Sequence, residues 1–316
     1  MTSRKPPLLL FIPAALAVAG MIIPLFYLII RSGQAEAAQL QSLILRAHTL
    51  QLLVNTLLLS GGVLILSLAI SLPLAWITER TTLAWSRVLS LLGVLPLALP
   101  GYVAAYALLS IGGSYGLSAR LFSYPLPRIS GYWGAAAALT IYSFPYLYLN
   151  IRTALAKLDP ALEETAESLG ASRTRIFFKV LLPHLVPALL SGSMVILLYV
   201  LGDFGVVALM RYEVFSFAIY TQYAGAFDRT YASVLSLMLI LLSLTVLAAE
   251  GLLLRTLRLD RTGTGTQRSG RKHPLGRWKI PAYLFLIAVI AITLGLPLLT
   301  LAAWMIQSPQ WHTIPR

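Results

Sequence analysis

Long apolar runs alternate with short polar segments along almost the whole chain. Each run is long enough to cross the roughly 30 Å hydrocarbon core of a bilayer as a helix. Because backbone groups in lipid must be satisfied within their own segment, the runs are predicted to be helices. The seven predicted spans are residues 8–30, 52–77, 88–111, 132–151, 185–210, 232–254 and 281–306. The pattern predicts an all-α polytopic membrane protein of about seven transmembrane helices.

Composition supports this class and excludes others. Hydrophobic residues make up 58% of the 316 residues, charged residues only 11%, and the mean hydropathy is +0.80. A water-soluble globule of this size needs a more polar surface than that. The chain has no cysteine, which excludes disulfides, thiolate metal sites and thiol redox chemistry.

The basic residues predict an orientation. With a cytoplasmic N-terminus, most of them fall in segments that face the cytoplasm, as the positive-inside rule requires. They are Arg4, Lys5, Arg80, Arg87, Arg152, Lys157, Arg173, Arg175, Lys179 and those of segment 255–279. The net charge of +13 is then an excess beside anionic lipid, and no nucleic-acid partner is needed to explain it.

The polar loop at residues 158–184 predicts a helix, a tight turn and a second helix. Asp159 is a good N-cap, and Pro160 fits the first helical position, where no amide donor is needed. Gly170 supplies a left-handed residue that ends the helix, and Ser172 can start the next one. The first helix has about ten residues and is marginal in water by itself, so something must hold it.

The first helix of this loop is predicted to be amphipathic. Three apolar residues recur on one side: Leu162, Ala166 and Leu169. The acidic residues lie mostly elsewhere on the helical wheel: Glu163, Glu164 and Glu167.

At these residues the sequence resembles the cytoplasmic coupling loop of bacterial ABC-importer permeases. The family pattern is Glu-Ala-Ala, three residues, Gly, nine residues and Ile-x-Leu-Pro. Here it reads Glu164-Thr165-Ala166, Gly170 and Val180-Leu181-Leu182-Pro183, with Thr and Val as the two small departures. The resemblance implies that the loop docks on an ATPase subunit through Glu163, Glu164, Ala166, Gly170, Val180, Leu182 and Pro183.

The resemblance also implies an architecture and a set of partners. Residues 1–31 would be the first span and 52–254 the permease core, together a six-span half with one span plus a five-helix core. The expected partners are ABC ATPase subunits that bind the ATP, a periplasmic or lipoprotein solute-binding protein, a second permease half or second copy, and membrane lipid. The expected location is the bacterial inner membrane.

The last part of the chain predicts an incomplete second half. Residues 255–280 are basic and glycine-rich, as in a cytoplasmic linker, and residues 281–316 hold one more apolar run. Some permeases of this superfamily, notably ferric-iron ones, fuse two six-span halves in one chain. By that resemblance the chain is expected to be a truncated or split version of a fused permease.

A substrate path is predicted around an intramembrane carboxylate. Asp203 is the acidic residue set well inside a span, with Tyr199 one helical turn before it. Pro96 and Pro100 are predicted to break the third span near its middle, and Pro145 the fourth. The other interpretation is that Asp203 pairs with a backbone group or a polar side chain across the bundle and organises packing.

The substrate is predicted through resemblance. The segment LGDFG around Asp203 is similar to the corresponding region of ferric-iron permeases, and a carboxylate with phenols suits a hard cation or its small chelates. Related permeases for thiamine, phosphonates or oxyanions share much of the pattern.

Catalytic signals are missing from the sequence. The segment GTQRSGRK lacks the Gly-Lys-Ser/Thr ending of a phosphate-binding loop, and the histidines lack metal-ligand spacing. The chain is expected to be no enzyme, to bind no cofactor or metal, and to rely on a separate ATPase. Two rival classes stay open: an ion-coupled secondary transporter and a non-transporting membrane scaffold.

Overall fold

The computed structural model describes residues 8–226, 228–256 and 272–307, and their regular structure is helical. The helices are α1 (Leu8–Gly33), α2 (Ala37–Ile44), α3 (Ala47–Arg80), α4 (Ser86–Leu92), α5 (Gly101–Ile111), α6 (Leu117–Phe122), α7 (Gly131–Lys157), α8 (Pro160–Ser168), α9 (Arg173–Ile176), α10 (Leu182–Gly202), α11 (Gly205–Leu209), α12 (Phe215–Thr221), α13 (Arg229–Thr256), α14 (Lys279–Ile290) and α15 (Leu296–Gln307). Short 3₁₀ segments lie at Leu95–Ala98 and Gly276–Trp278. Most of the predicted linker, residues 257–271, lies outside the described residues.

Wider π-helical turns occur at Phe177–Leu181, Gln222–Ala226 and Ala291–Gly295. Two of them directly precede a Leu-Pro pair that opens the next helix, at Pro183 and Pro297. A proline clashes with the carbonyl four residues before it, and a wider turn relieves that clash. The chain therefore continues from α9 into α10, and from α14 into α15, as one long helical path.

Among the described residues, five helical segments are both long and apolar enough to cross a membrane. They are Phe11–Gly33, Ala47–Arg80, Arg173–Gly202, Arg229–Thr256 and Gly276–Ile306. A sixth candidate is the pair Ser86–Ala98 and Gly101–Ile111, which is bent by 95°. The prediction of an all-α membrane protein is therefore confirmed.

The fourth predicted span forms α7, which has the length of a span but a lower hydropathy. It has 27 residues, including buried Thr140, Ser143 and Tyr148. Most of its residues from Gly134 to Ile151 are buried within the protein. A helix surrounded by other helices needs less apolar character than one that faces lipid, which explains its composition.

Two predicted spans differ from the structure. The fifth, predicted to run to residue 210, ends as a helix at Gly202, and a break at Asp203 and Phe204 separates it from α11. The fourth has no break at Pro145, because α7 continues through it. Pro145 is buried among neighbouring residues, and packing holds the helix together there.

The chain divides into two compact units, the first formed by Met1–Thr56 with Glu213–Ser243. Its core is a cluster of Leu52, Phe215, Tyr231 and Leu235. Asn55 and Thr56 of α3 bind the segment that leads into α12. The Asn55 side chain donates to the Glu213 carbonyl (2.8 Å), and the Thr56 hydroxyl accepts from the Phe215 amide (3.2 Å).

The second unit, Leu57–Tyr212 with Leu244–Arg316, is built around α7. Helices α10 and α5 pack on α7 most extensively. A Cβ atom at Gly192 of α10 would lie only 3.0 Å from the Leu147 Cα atom, so a glycine is needed for this close approach. The last helical path, α14 and α15, also belongs to this unit, where Trp304 packs edge-on against Tyr106 of α5 (5.8 Å between ring centroids).

Candidate functional site

The loop after α7 has the predicted helix, turn and helix. The Asp159 carboxylate accepts from the Ala161 amide (3.0 Å) and starts α8. Gly170 ends it with a φ of +79°, and the Ala171 amide donates to the Ala166 carbonyl (3.0 Å). The Ser172 hydroxyl then accepts from the Arg175 amide (3.4 Å) to start α9. Local capping chemistry therefore sets the shape of this loop.

A small apolar core holds α8 against the rest of the loop. Leu158, Ile176 and Leu181 are buried together, and Leu162 and Ala166 of α8 pack against them. Leu169, predicted to lie on the same side, is instead 83% exposed. It is the residue that follows α8, where the chain already turns toward Gly170, so the helical wheel no longer applies to it.

Glu163 is the main departure from the predicted amphipathic pattern. It was expected mostly away from the buried side, but it is buried, and its Oε1 atom lies 2.9 Å from Nη1 of Arg80. Glu164 and Glu167 are exposed, as the wheel predicts. A buried guanidinium at the end of α3 makes the burial of this carboxylate possible.

The other predicted docking residues lie around this loop with different exposure. Ala166, Val180 and Leu182 are half-buried, whereas Gly170 and Pro183 are exposed. The exposed residues of the predicted docking set are therefore Glu164, Gly170 and Pro183, and Leu169 is exposed beside Gly170. Their docking role stays a prediction.

The second predicted site lies at the break between α10 and α11. The Val206 amide donates to Oδ1 of Asp203 (2.9 Å), which caps α11. The Tyr142 hydroxyl, from the middle of α7, donates to Oδ2 (2.9 Å). Both carboxylate oxygens are therefore tied into the fold, as the packing interpretation of Asp203 requires.

Aromatic rings surround this break. The ring of Tyr199 lies edge-on to Tyr142 (5.2 Å between centroids) and is tilted toward Tyr146 (6.0 Å). Tyr199 is 40% exposed, so it presents its ring at the surface of the second unit. Tyr142 was missed by the sequence analysis, because nothing in its local pattern distinguishes it from the other tyrosines of α7.

The proline pair produces the predicted break in the third span. Pro96 is buried within the 3₁₀ segment, and Pro100 is the residue directly before α5, within the break where the chain bends by 95°. At Gly101 the backbone touches the Tyr142 ring so closely that a Cβ atom would lie 2.6 Å from it. Tyr142 therefore contacts the backbone directly after Pro100, the carboxylate of Asp203 and the ring of Tyr199. The role of these residues in a substrate path stays a prediction.

Comparison with known proteins agrees with the fold. Residues 71–259 match the family model described as "Binding-protein-dependent transport system inner membrane component". The chain is 27% identical to the Fe(3+)-transport system permease protein FbpB 2 of Haemophilus influenzae, over 96% of this chain and 57% of that protein. It is 31% identical to the sulfate transport system permease protein CysT of Escherichia coli, over 72% of this chain and 84% of that protein. The chain thus spans little more than half the length of the first of these relatives.

Solved structures show the same fold. A bacterial alginate ABC transporter in complex with an alginate-bound periplasmic protein matches with a TM-score of 0.64, over 81% of this chain and 96% of that chain, at 18% identity. An inward-facing MetNI methionine ABC transporter matches with a TM-score of 0.54, over 68% of this chain and 100% of that chain, at 17% identity. With a family model that covers more than half of its residues, this chain belongs to the family of inner membrane components of binding-protein-dependent transport systems, the permeases of ABC transporters.

Proposed function

We propose that the chain is a permease subunit of an ATP-driven importer and that α8 is the element that docks on its ATPase. The observation that carries this proposal is the exposed turn at Gly170, with Glu164 and Leu169 beside it, inside the region that matches the family. An 83% exposed leucine directly after a short polar helix is suited to burial by a partner protein.

The proposed mechanism is alternating access. Closure of two ATPase subunits around ATP moves α8, and the spans rock to open a central path for solute delivered by a periplasmic or lipoprotein receptor. ATP hydrolysis takes place on the separate subunit, and the N-terminus, α8 and the linker face the cytoplasm. A second permease half, or a second copy of this chain, completes the path.

The proposed substrate is ferric iron or a small iron chelate. The relative from Haemophilus influenzae, an Fe(3+)-transport permease by name, matches over 96% of this chain. Carboxylate and phenol oxygens are suitable ligands for a hard cation, and Asp203 and Tyr199 supply one of each near the break. Because Tyr142 and the Val206 amide already bind Asp203, the exposed ring of Tyr199 is the better candidate for direct contact.

An oxyanion is the second candidate substrate. The chain is 31% identical to the sulfate permease CysT and 33% identical to the molybdenum permease ModB, both of Escherichia coli. A carboxylate at the break would repel such an anion, so charge favours the cationic substrate.

Uptake into proteoliposomes tests the proposal. The chain is purified with the permease half, ATPase and receptor that accompany it in its native membrane, and radioactive ferric citrate, sulfate and molybdate are offered in turn. We expect ATP-dependent uptake of ferric citrate alone. Uptake of sulfate or molybdate instead would overturn the substrate, and uptake driven by an ion gradient without ATP would overturn the proposed class of transporter.

A further inference from the structure

We propose that Glu163 is a positioning residue that joins α8 to two spans at once. Its carboxylate meets Arg80 at the end of α3 and His273 in the segment that leads into α14. Movement of α8 would therefore pass to α3 through Arg80, and to the last helical path through His273. The role of this connection in transport rests on the proposed function, in which α8 docks on an ATPase. The contacts of Glu163 with Arg80 and His273 lie within this chain and do not depend on that proposal.

The contact with Arg80 is deeply buried. The Arg80 side chain is 1% exposed and that of Glu163 is 9% exposed, with 2.9 Å between Nη1 and Oε1. The guanidinium N–H groups are not aligned for a hydrogen bond, so the contact is an ion pair rather than a directed bond. Separating two buried charges leaves both unpaired in a poorly solvated site, which is strongly unfavourable. Arg80 and Glu163 therefore have to move together.

The contact with His273 brings in a second element. Residues 272–278 lie alongside the end of α3, where the His273 amide donates to the Arg80 carbonyl (2.8 Å) and the Thr82 amide donates to the His273 carbonyl (3.1 Å). The His273 ring then places Nε2 at 3.7 Å from Oε2 of Glu163. Each carboxylate oxygen of Glu163 thus faces a different element of the second unit.

Packing between these elements is incomplete. A cavity of about 300 Å³ lies among them, lined by Trp76 of α3, Phe177, Leu181, Leu275 and Trp278. Trp76 of α3 packs against the apolar core of the loop, edge-on to Phe177 (5.6 Å between ring centroids), but the cavity interrupts this apolar contact. The carboxylate of Glu163 adds a polar connection from α8 to both elements, beside the aromatic contact at Trp76.

A neighbouring ion pair provides a matched control. Glu79 precedes Arg80 in α3 and pairs with Arg152 of α7 at 3.2 Å, but these side chains are 26% and 35% exposed. Partly exposed pairs contribute little, because water solvates the charges when they separate. The control pair therefore has the same chemistry on the same helix without the burial.

Spin-label distances test the connection without any ATPase. The chain has no cysteine, so one label pair is placed at Ser168→Cys and Thr82→Cys, and a second pair at Ser168→Cys and Lys279→Cys. In lipid nanodiscs we expect a single narrow distance for each pair in the otherwise unchanged chain, and also in the control Glu79→Gln/Arg152→Met. In Arg80→Met/Glu163→Leu, which removes both charges and leaves neither unpaired, both distributions should broaden. His273→Ala should broaden only the distance distribution of the second pair, between positions 168 and 279.

Narrow distributions in Arg80→Met/Glu163→Leu would overturn the proposal, and an unchanged second distance in His273→Ala would overturn the part assigned to that residue.

The assembled importer supplies an independent measurement. There the double variant should transport at least about tenfold less solute for each ATP hydrolysed than the unchanged chain, whereas the control should transport normally. Full transport by the double variant would show that the pair only stabilises the fold. A further outcome separates the two proposals: the spin-label distributions broaden as expected, but the importer with the unchanged chain does not use ATP for transport. That result would support the connection through Glu163 and overturn the proposed function.

Discussion

Gly170 is the single residue on which the shape of the exposed loop depends most. Its φ of +79° lies in the left-handed region, and a side chain there would meet open space rather than a neighbour. The penalty for another residue is therefore conformational, about 1–2 kcal/mol, and largest for β-branched side chains. Asparagine tolerates this region better than other residues with a side chain.

Replacing Gly170 with valine is expected to uncouple transport. Gly170→Val should reduce solute uptake by at least about tenfold, because the turn can no longer present α8 to its partner, while membrane insertion is unchanged. Gly170→Asn should retain most uptake. The matched control is Gly251→Val in α13, where the glycine has ordinary helical backbone and no neighbour within 4 Å. Uptake is measured in proteoliposomes, and full uptake with Gly170→Val would show that the turn has been misassigned.

Gly101 is expected to be intolerant of a methyl group for a different reason. A Cβ atom there would lie 2.6 Å from the buried Tyr142 ring, which is itself held by Asp203. Gly101→Ala should therefore destabilise the protein by about 1–3 kcal/mol through overpacking. Gly61→Ala in α3 is the control, since that position has open space. Thermal unfolding in detergent measures the difference, and equal midpoints for the two variants would contradict the close packing at Tyr142.

At the residue scale, local chemistry was predictable and long-range pairing was not. Asp159, Gly170 and Ser172 were predicted because a cap or a turn depends on residues only a few positions apart. The pairing of Glu163 with Arg80 was not predicted, because the two lie in different helices and a helical wheel carries no information about a partner charge. The hydrogen bond between Tyr142 and Asp203 was missed for the same reason.

The short helix α8 is stable only in its context. It has nine residues, is held by a core of Leu158, Ile176 and Leu181, and depends on the Asp159 cap at its start. An isolated helix of this length is marginal in water. Its order therefore comes from the cap, the apolar core and the buried Glu163.

Removing the cap is expected to loosen α8 selectively. Asp159→Ala should weaken the helix by about 1 kcal/mol, which corresponds to roughly fivefold faster amide hydrogen exchange where exchange follows local opening. Ser168→Ala is the control, because its hydroxyl bonds to the Glu164 carbonyl within the same helix and caps nothing. Exchange is followed by mass spectrometry on the peptide that contains α8, and equal protection in both variants would contradict the role of the cap.

The pattern of spans was largely predictable at the element scale. Apolar runs predicted the long helices, and Pro96 with Pro100 predicted the 95° bend. Pro145 gave a wrong prediction, since α7 continues through it. A proline disrupts one backbone hydrogen bond in either case, and whether the helix then breaks depends on the surrounding packing, which the local sequence does not contain.

Orientation in the membrane is the main prediction at the scale of the whole molecule. It follows from the excess of basic residues in the segments assigned to the cytoplasm. Single cysteines at Ala38 and Ser168, both exposed and on opposite sides in this arrangement, test it in an otherwise cysteine-free chain. In spheroplasts, a membrane-impermeant maleimide should label Ala38→Cys readily and Ser168→Cys only after lysis. The reverse pattern would invert the topology and remove α8 from the ATPase.

The most direct test of the account is whether an ATPase subunit binds at α8. Leu169→Cys carries a photoreactive maleimide at the 83% exposed position beside Gly170, and Tyr115→Cys, 86% exposed in the turn after α5, serves as the control. After illumination of intact cells, we expect an ATPase subunit to be cross-linked to Leu169→Cys and none to Tyr115→Cys. Capture of no ATPase at Leu169, or equal capture at both positions, would contradict the central claim.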